Sequence, residues 1–136
     1  MSLTVKKIEN QFAEIFGEPI STYTRAQAID DGVLVDVTPI AKEAGFKYPV
    51  AVTGRVFHEV IVPPDGVSHC QDDIGRLWDI LNVLRVACKR SPWSLVNFTI
   101  GIQNKPGQIR PCPLKSICGP GDNAEPVITI MLPDED

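Results

Sequence analysis

The spacing of hydrophobic positions changes along this chain, from steps of three and four to steps of two, and the change separates a helical first part from an extended last part. Leu3, Val5, Ile8, Phe12, Ile15 and Phe16 fall mostly on one helical face, which predicts an amphipathic helix over 3–16, stopped by Gly17 and Pro19. Tyr23 to Gly32 predicts a short helix with Thr24 as N-cap and Gly32 as the left-handed exit. Val33 to Val37 is β-branched and brief, a short strand near 33–37. Thr38-Pro39 then predicts an N-cap followed by proline at the first helical position, opening a helix that ends at Gly45. Between Pro49 and Pro64, Val56, Phe57, Val60 and Ile61 recur at helical spacing with Thr53 as a cap, although Val60-Ile61-Val62 also suits an extended chain. A loop is expected over Pro63 to Ser68. The clearest element follows: Ile74, Leu77, Trp78, Leu81, Leu84, Ala87 and Cys88 predict one helix over 71–90, with Asp73, Arg76, Asn82, Arg85 and Lys89 on its opposite face.

Beyond Pro92 the period is two. Strands are predicted near 95–103, 109–117 and 126–132, joined by turns at Asn104–Gly107 and Gly119–Asn123. Pro111 and Pro113 remove two ladder donors from the middle strand and favour an edge or a bulge. The expected architecture is α+β: N-terminal helices, including the long central one, packed on a C-terminal antiparallel sheet. No repeat or linker divides the chain, so a single domain over 1–136 is expected, with residues 1–19 peripheral to it.

Composition supports a real core. In 136 residues, 43% hydrophobic and 22% charged, roughly two thirds of the unfolded surface can be buried, which argues against intrinsic disorder. Thirteen basic and seventeen acidic residues leave a formal charge of −4, so overall charge gives nucleic-acid binding no support. No run of 18 apolar residues and no signal-like apolar stretch occurs, so a cytoplasmic protein with no membrane partner is expected. Four cysteines, irregularly spaced, are expected to be thiols.

Four stretches, YTRAQAIDDGVLVDV (23–37), AKEAGFKYPVAVT (41–53), GRLWDIL (75–81) and CGPGDNAEPVITIMLPDED (118–136), resemble a family of small bacterial proteins classed as a domain of unknown function. The resemblance covers residues 20–136. It implies a cytoplasmic domain often carried by phages and plasmids, and it implies no activity or catalytic residue.

Candidate chemistry must therefore come from the residues themselves. His58, His69, Cys70, Cys88, Cys112 and Cys118 are potential metal ligands, but none has zinc-site spacing, and Cys70 and Cys88 lie roughly 27 Å apart if both are on the long helix. No metal and no cofactor is expected. Cys70, at a helix start, is the most reactive-looking thiol, though packing or capping is its ordinary role. Gly119-Pro120-Gly121-Asp122 lacks the lysine and the following helix that a phosphate loop needs. Asp72 and Asp73 suit the dipole at the start of the long helix, and Asp72 and Arg76 are spaced for an i,i+4 surface pair. Asp30 and Asp31 sit unfavourably at a helix end and call for a partner such as Arg25, Arg55 or a backbone cap. Asp36, within a short apolar strand, needs a hydrogen bond if buried.

The sharpest site hypothesis is a polar cleft at the helix–sheet boundary lined by Arg25, Asp31, Asp72 and Arg76, holding a small ligand or a partner's polar group. The acidic tail, Pro133 to Asp136, reads as a solvated end that guards a sheet edge. Three functions compete. A non-enzymatic interaction or regulatory module, with a protein partner or a second copy, fits the small size and missing catalytic motifs. A ligand-binding domain or small enzyme would use the cleft. A single-stranded nucleic-acid binder would use Arg85, Lys89, Arg90 and Trp93 with Lys105, Arg110 and Lys115, although cations also suit a helix C-terminus.

Overall fold

A computed structural model of the protein describes residues 23–63, 72–91, 94–105 and 107–135. The expected helix over 3–16, His69, Cys70 and Trp93 lie outside the described residues. Helix α1 (Arg25–Asp30) starts as its sequence requires: the Thr24 hydroxyl accepts from Gln27 N at 3.0 Å while Gln27 Oε1 accepts from Thr24 N at 2.9 Å. Gly32, at φ 81°, turns the chain out of it. Strand β1 (Leu34–Asp36) leads into α2 (Thr38–Glu43). Here the cap moves by one residue. Val37 is the N-cap and Thr38 opens the helix, because the Thr38 hydroxyl is engaged by Asp36 Oδ1 at 2.5 Å and by Val50 N at 3.1 Å. Gly45, at φ 104°, closes the α2 turn, and a Cβ built there would lie 3.3 Å from Arg85 Cδ.

Strand β2 (Val50–Thr53) was not expected; it runs into α3 (Gly54–Val56), which widens into a π-helical turn over Phe57–Ile61. Thr53 caps α3 through Val56 N at 3.2 Å. Helix α4 (Asp73–Arg90) is the continuous long helix, and Asp72 is its N-cap. Strands β3 (Leu95–Lys105), β4 (Gln108–Pro120) and β5 (Pro126–Met131) follow.

The strands form one sheet in the order β1-β2-β5-β4-β3. The class is α+β as expected, but the sheet is mixed rather than antiparallel: β2 and β5 are parallel, with Ala51 beside Thr129. The physical reason is burial. Val50, Ala51 and Val52 are covered on both faces, so β2 carries no alternation to read. The β4 prolines find their place through register. Cys118 N donates to Ser94 O, so even-numbered β4 residues pair with β3 and odd-numbered ones point towards β5. Strand β5 reaches only Lys115, opposite Met131, and Pro111 and Pro113 lie beyond it, where no ladder donor is needed.

On one face of the sheet α4 lays down Leu77, Ile80, Leu81 and Leu84, and the π turn adds Val60 and Ile61. They pack on Val50, Val52, Val96, Phe98, Ile100, Leu114, Ile128 and Ile130. Burying each such side chain contributes roughly 1.5–3 kcal/mol. On the reverse face α1 sits over the β1–β5 end, with Ala28 buried.

Candidate functional site

The four residues expected to share a cleft are divided between the two faces of the sheet. Arg25 is on the reverse face, where its guanidinium donates to Thr129 Oγ1 at 2.7 Å and to Ile128 O at 2.9 Å. Burial lowers its pKa, against the opposing pull of Asp36, Asp122 and Glu125. Asp31 accepts from the Tyr23 hydroxyl at 2.6 Å, so the partner it called for is neither Arg25 nor Arg55. Asp72 spends its carboxylate on Gly75 N at 2.7 Å as the cap of α4. Arg76 turns inward, 1% exposed, on the core face. It donates to Val60 O at 3.0 Å and to Gln103 O, tying the π turn to β3. The expected surface pair of Asp72 and Arg76 is thus replaced by a cap and a buried cross-tie. Spacing held the clue to Arg76, which lies four and eight residues before Ile80 and Leu84 on the apolar face.

Arg25 does border a small polar depression of about 200 Å³ with Asp36, Thr38, Asp122 and Glu125. Its groups are already committed to the fold. Asp122 accepts from Arg25 N at 2.7 Å and Ala26 N at 3.1 Å, acting as a remote cap for α1. Asp36 is exposed and accepts from Thr38 N at 3.0 Å. Glu125 Oε1 accepts from Asn123 N at 2.8 Å, shaping the turn.

Other candidates are equally structural. Cys88, Cys112 and Cys118 are half-buried free thiols, and burial raises the pKa of Cys88 and Cys112. Among the described residues, no three His, Cys, Asp or Glu side chains gather to hold a metal. No described helix is long and apolar enough to cross a membrane. The basic residues separate: Lys89 and Arg90 sit in the last turn of α4 near the start of β3. Lys105 and Arg110 flank the far hairpin, roughly 30 Å along the strand. The acidic tail is anchored at Glu135, while Asp134 stays exposed in a surface ion pair. Glu135 accepts from the Thr53 hydroxyl and Leu132 N, both at 2.8 Å, and Asp134 pairs with Arg55 at 3.1 Å.

Among the described residues, one strand edge keeps a run of backbone polar groups unspent. Strand β3 ends the sheet, and the register that pairs Val96, Phe98, Ile100 and Ile102 with β4 turns the N–H and C=O groups of Leu95, Asn97, Thr99 and Gly101 outward. Among the described residues nothing pairs with those four positions. The free edge stops at Gln103, whose carbonyl is held by Arg76. From Leu95 to Asn104 the strand carries no charge. Alongside it, a groove of about 860 Å³ runs between β3 and the second half of α4, floored by Val96 and Phe98 and walled by Val83, Val86 and Ala87. Val83 (37% exposed), Val86 (47%) and Leu95 (47%) stand open around it, and none of its lining residues is acidic. An uncharged edge of this length, beside an apolar trough, is the kind of feature that sheet proteins ordinarily shorten, charge or cover.

The model of a family of unknown function (DUF6573) matches residues 9–136, reaching back past the stretch on which the motif resemblance rests. No curated protein and no solved structure matches the chain. The chain belongs to this family of unknown function.

Proposed function

We propose that the protein is a non-enzymatic interaction module, which binds a polypeptide partner by strand addition along the outer edge of β3. The partner's chemistry follows from the surface. It is an extended, uncharged segment whose main chain pairs with Leu95, Asn97, Thr99 and Gly101. Its apolar side chains, at alternate positions, enter the groove beside Val83 and Val86. The observation that carries this reading is the run of four unpaired outward positions without a charge. Elsewhere polar groups at the expected sites are consumed in caps and cross-ties, which leaves little for turnover or small-ligand capture. The resemblance to phage- and plasmid-borne cytoplasmic proteins suits a role exerted on another protein.

The test is a titration followed by amide NMR. The probe is a blocked peptide of about seven alternating valine and threonine residues, N-methylated on alternate amides so that it offers a single pairing edge. The reading expects shifts concentrated at Leu95, Asn97, Thr99 and Gly101 and at the methyls of Val83 and Val86. Shifts confined to the Arg25 depression, or none at millimolar peptide with the protein kept dilute and monomeric, overturn it.

A further inference from the structure

Resting on the strand-addition reading, we infer that the strand which fills this edge is β3 of a second copy of the chain, pairing antiparallel about a two-fold axis at Phe98. The chemistry that the edge asks of a partner is the chemistry of β3 itself: extended, uncharged from Leu95 to Asn104, and apolar at alternate positions. Register makes the fit self-complementary. Pairing Leu95 with Gly101 and Asn97 with Thr99 of the second copy engages all four outward positions on each side. Since each directly hydrogen-bonded pair exchanges two bonds, the seam has about eight. It ends where Arg76 already occupies the Gln103 carbonyl.

A two-fold axis perpendicular to the sheet keeps both α4 helices on one face. Arg76 lies beside Gln103, and Val83 and Val86 line the groove with Val96 and Phe98, so α4 runs antiparallel to β3 and places Val83 near the axis. The exposed valines of the two helices then meet over the seam, above Phe98 and its copy. The charge distribution permits this. The net charge of −4 would repel two copies, yet no acidic residue lines the groove; the carboxylate on the same stripe of α4, Asp79, stands one turn before Val83 and outside that lining, and those of Asp31, Asp36, Asp122 and Asp134 belong to other parts of the fold.

The contact is small. Seven residues of strand span about 24 Å, and a sheet backed by one helix layer is about 20 Å deep. The contact is therefore on the order of 500 Å² per copy, at the small end of specific interfaces. Such a contact is expected to exchange with monomer within the concentration range sampled below.

Sedimentation velocity of the full chain, from about 1 µM to about 1 mM, tests the inference. Wild type is expected to pass from monomer to dimer across that range. Asn97→Pro removes an outward N–H without touching the β4 ladder and is expected to weaken the dimer at least tenfold. The double variant Val83→Glu/Val86→Glu, on the exposed flank of α4, leaves β3 unaltered and is expected to do the same, so the result does not hang on the folding of the proline variant. A wild type that stays monomeric throughout overturns the inference, as does a dimer that both variants leave intact. The peptide titration separately decides the strand-addition reading, since a monomer that still binds the peptide retains that reading and loses only the second copy.

Discussion

The two edges of the sheet solve the same physical problem in opposite ways. At β1 the edge is three residues long. The bonds from Gly54 N to Val33 O and from Val37 N to Val50 O leave only Leu34 and Asp36 facing outward. The second carries a carboxylate, and the chain on either side turns away into a helix. At β3 the edge is eleven residues long, with four outward positions and no charge among them. Exposed strand edges are normally shortened, charged or covered because they template pairing with other chains. Among the described residues, the protection present at β1 is missing at β3, and this contrast is the basis for reading β3 as an interface.

The comparison can be broken at several points, and the largest expected effect is at the residue that ends the free edge. Replacing Arg76 by Met removes the donors to Val60 O and Gln103 O, the first of them a buried carbonyl, and unties the π turn from β3. A loss of about 3 kcal/mol in urea unfolding is expected. Next come two proline substitutions, one on each edge strand. Val35→Pro, whose N–H points into the pair with Val52, is expected to cost about 2 kcal/mol by stranding a buried acceptor. Asn97→Pro, whose N–H points to solvent, is expected to cost under about 0.5 kcal/mol in a monomer. Equal costs at the two sites would contradict the register on which the free edge depends.

Between those two costs lies Asp122→Ala, which uncaps α1 by freeing Arg25 N and Ala26 N. About 1 kcal/mol is expected, read as a fall in melting temperature of several degrees, with self-association unchanged because α1 lies at the other end of the sheet. The smallest effect is on the tail. Arg55 holds the Asp134 carboxyl below its ordinary pKa. The contact therefore stabilises the fold above about pH 3.9 and is lost as pH falls through the lower folded-state value. NMR of the Arg55 and Asp134 side chains should show this contact breaking over that acid range in wild type, and absent at every pH in Arg55→Ala, where Glu135 still holds to Thr53 and Leu132.

Much of this architecture is legible in the chain. The steps of three and four from Leu77 to Leu84 mark α4, Thr24 marks the start of α1, and the period of two after Pro92 marks β3 and β4. Strand β2 escapes notice because a central strand buried on both faces reads as a short apolar run with no period. The Thr38 cap shifts because tertiary bonds to Asp36 and Val50 outbid the local pattern. The expected cleft fails for a related reason: Arg25, Asp31, Asp72 and Arg76 are polar residues near element ends, and such residues serve first as caps and ties. The absence of charge from Leu95 to Asn104 can be read directly. Which of its residues face outward cannot, because that depends on the pairing of Ser94 with Cys118 and on the sheet order that leaves β3 outermost.

The most direct measurement is residue-resolved amide hydrogen exchange at low and high protein concentration. The account predicts that Val96 and Phe98, bonded to β4, are protected at both, while Leu95, Asn97, Thr99 and Gly101 gain at least about tenfold protection only when the protein is concentrated. If those four amides exchange as freely as Leu34 and Asp36 at every concentration, or if the added protection appears on another face, the edge of β3 is not where two copies meet.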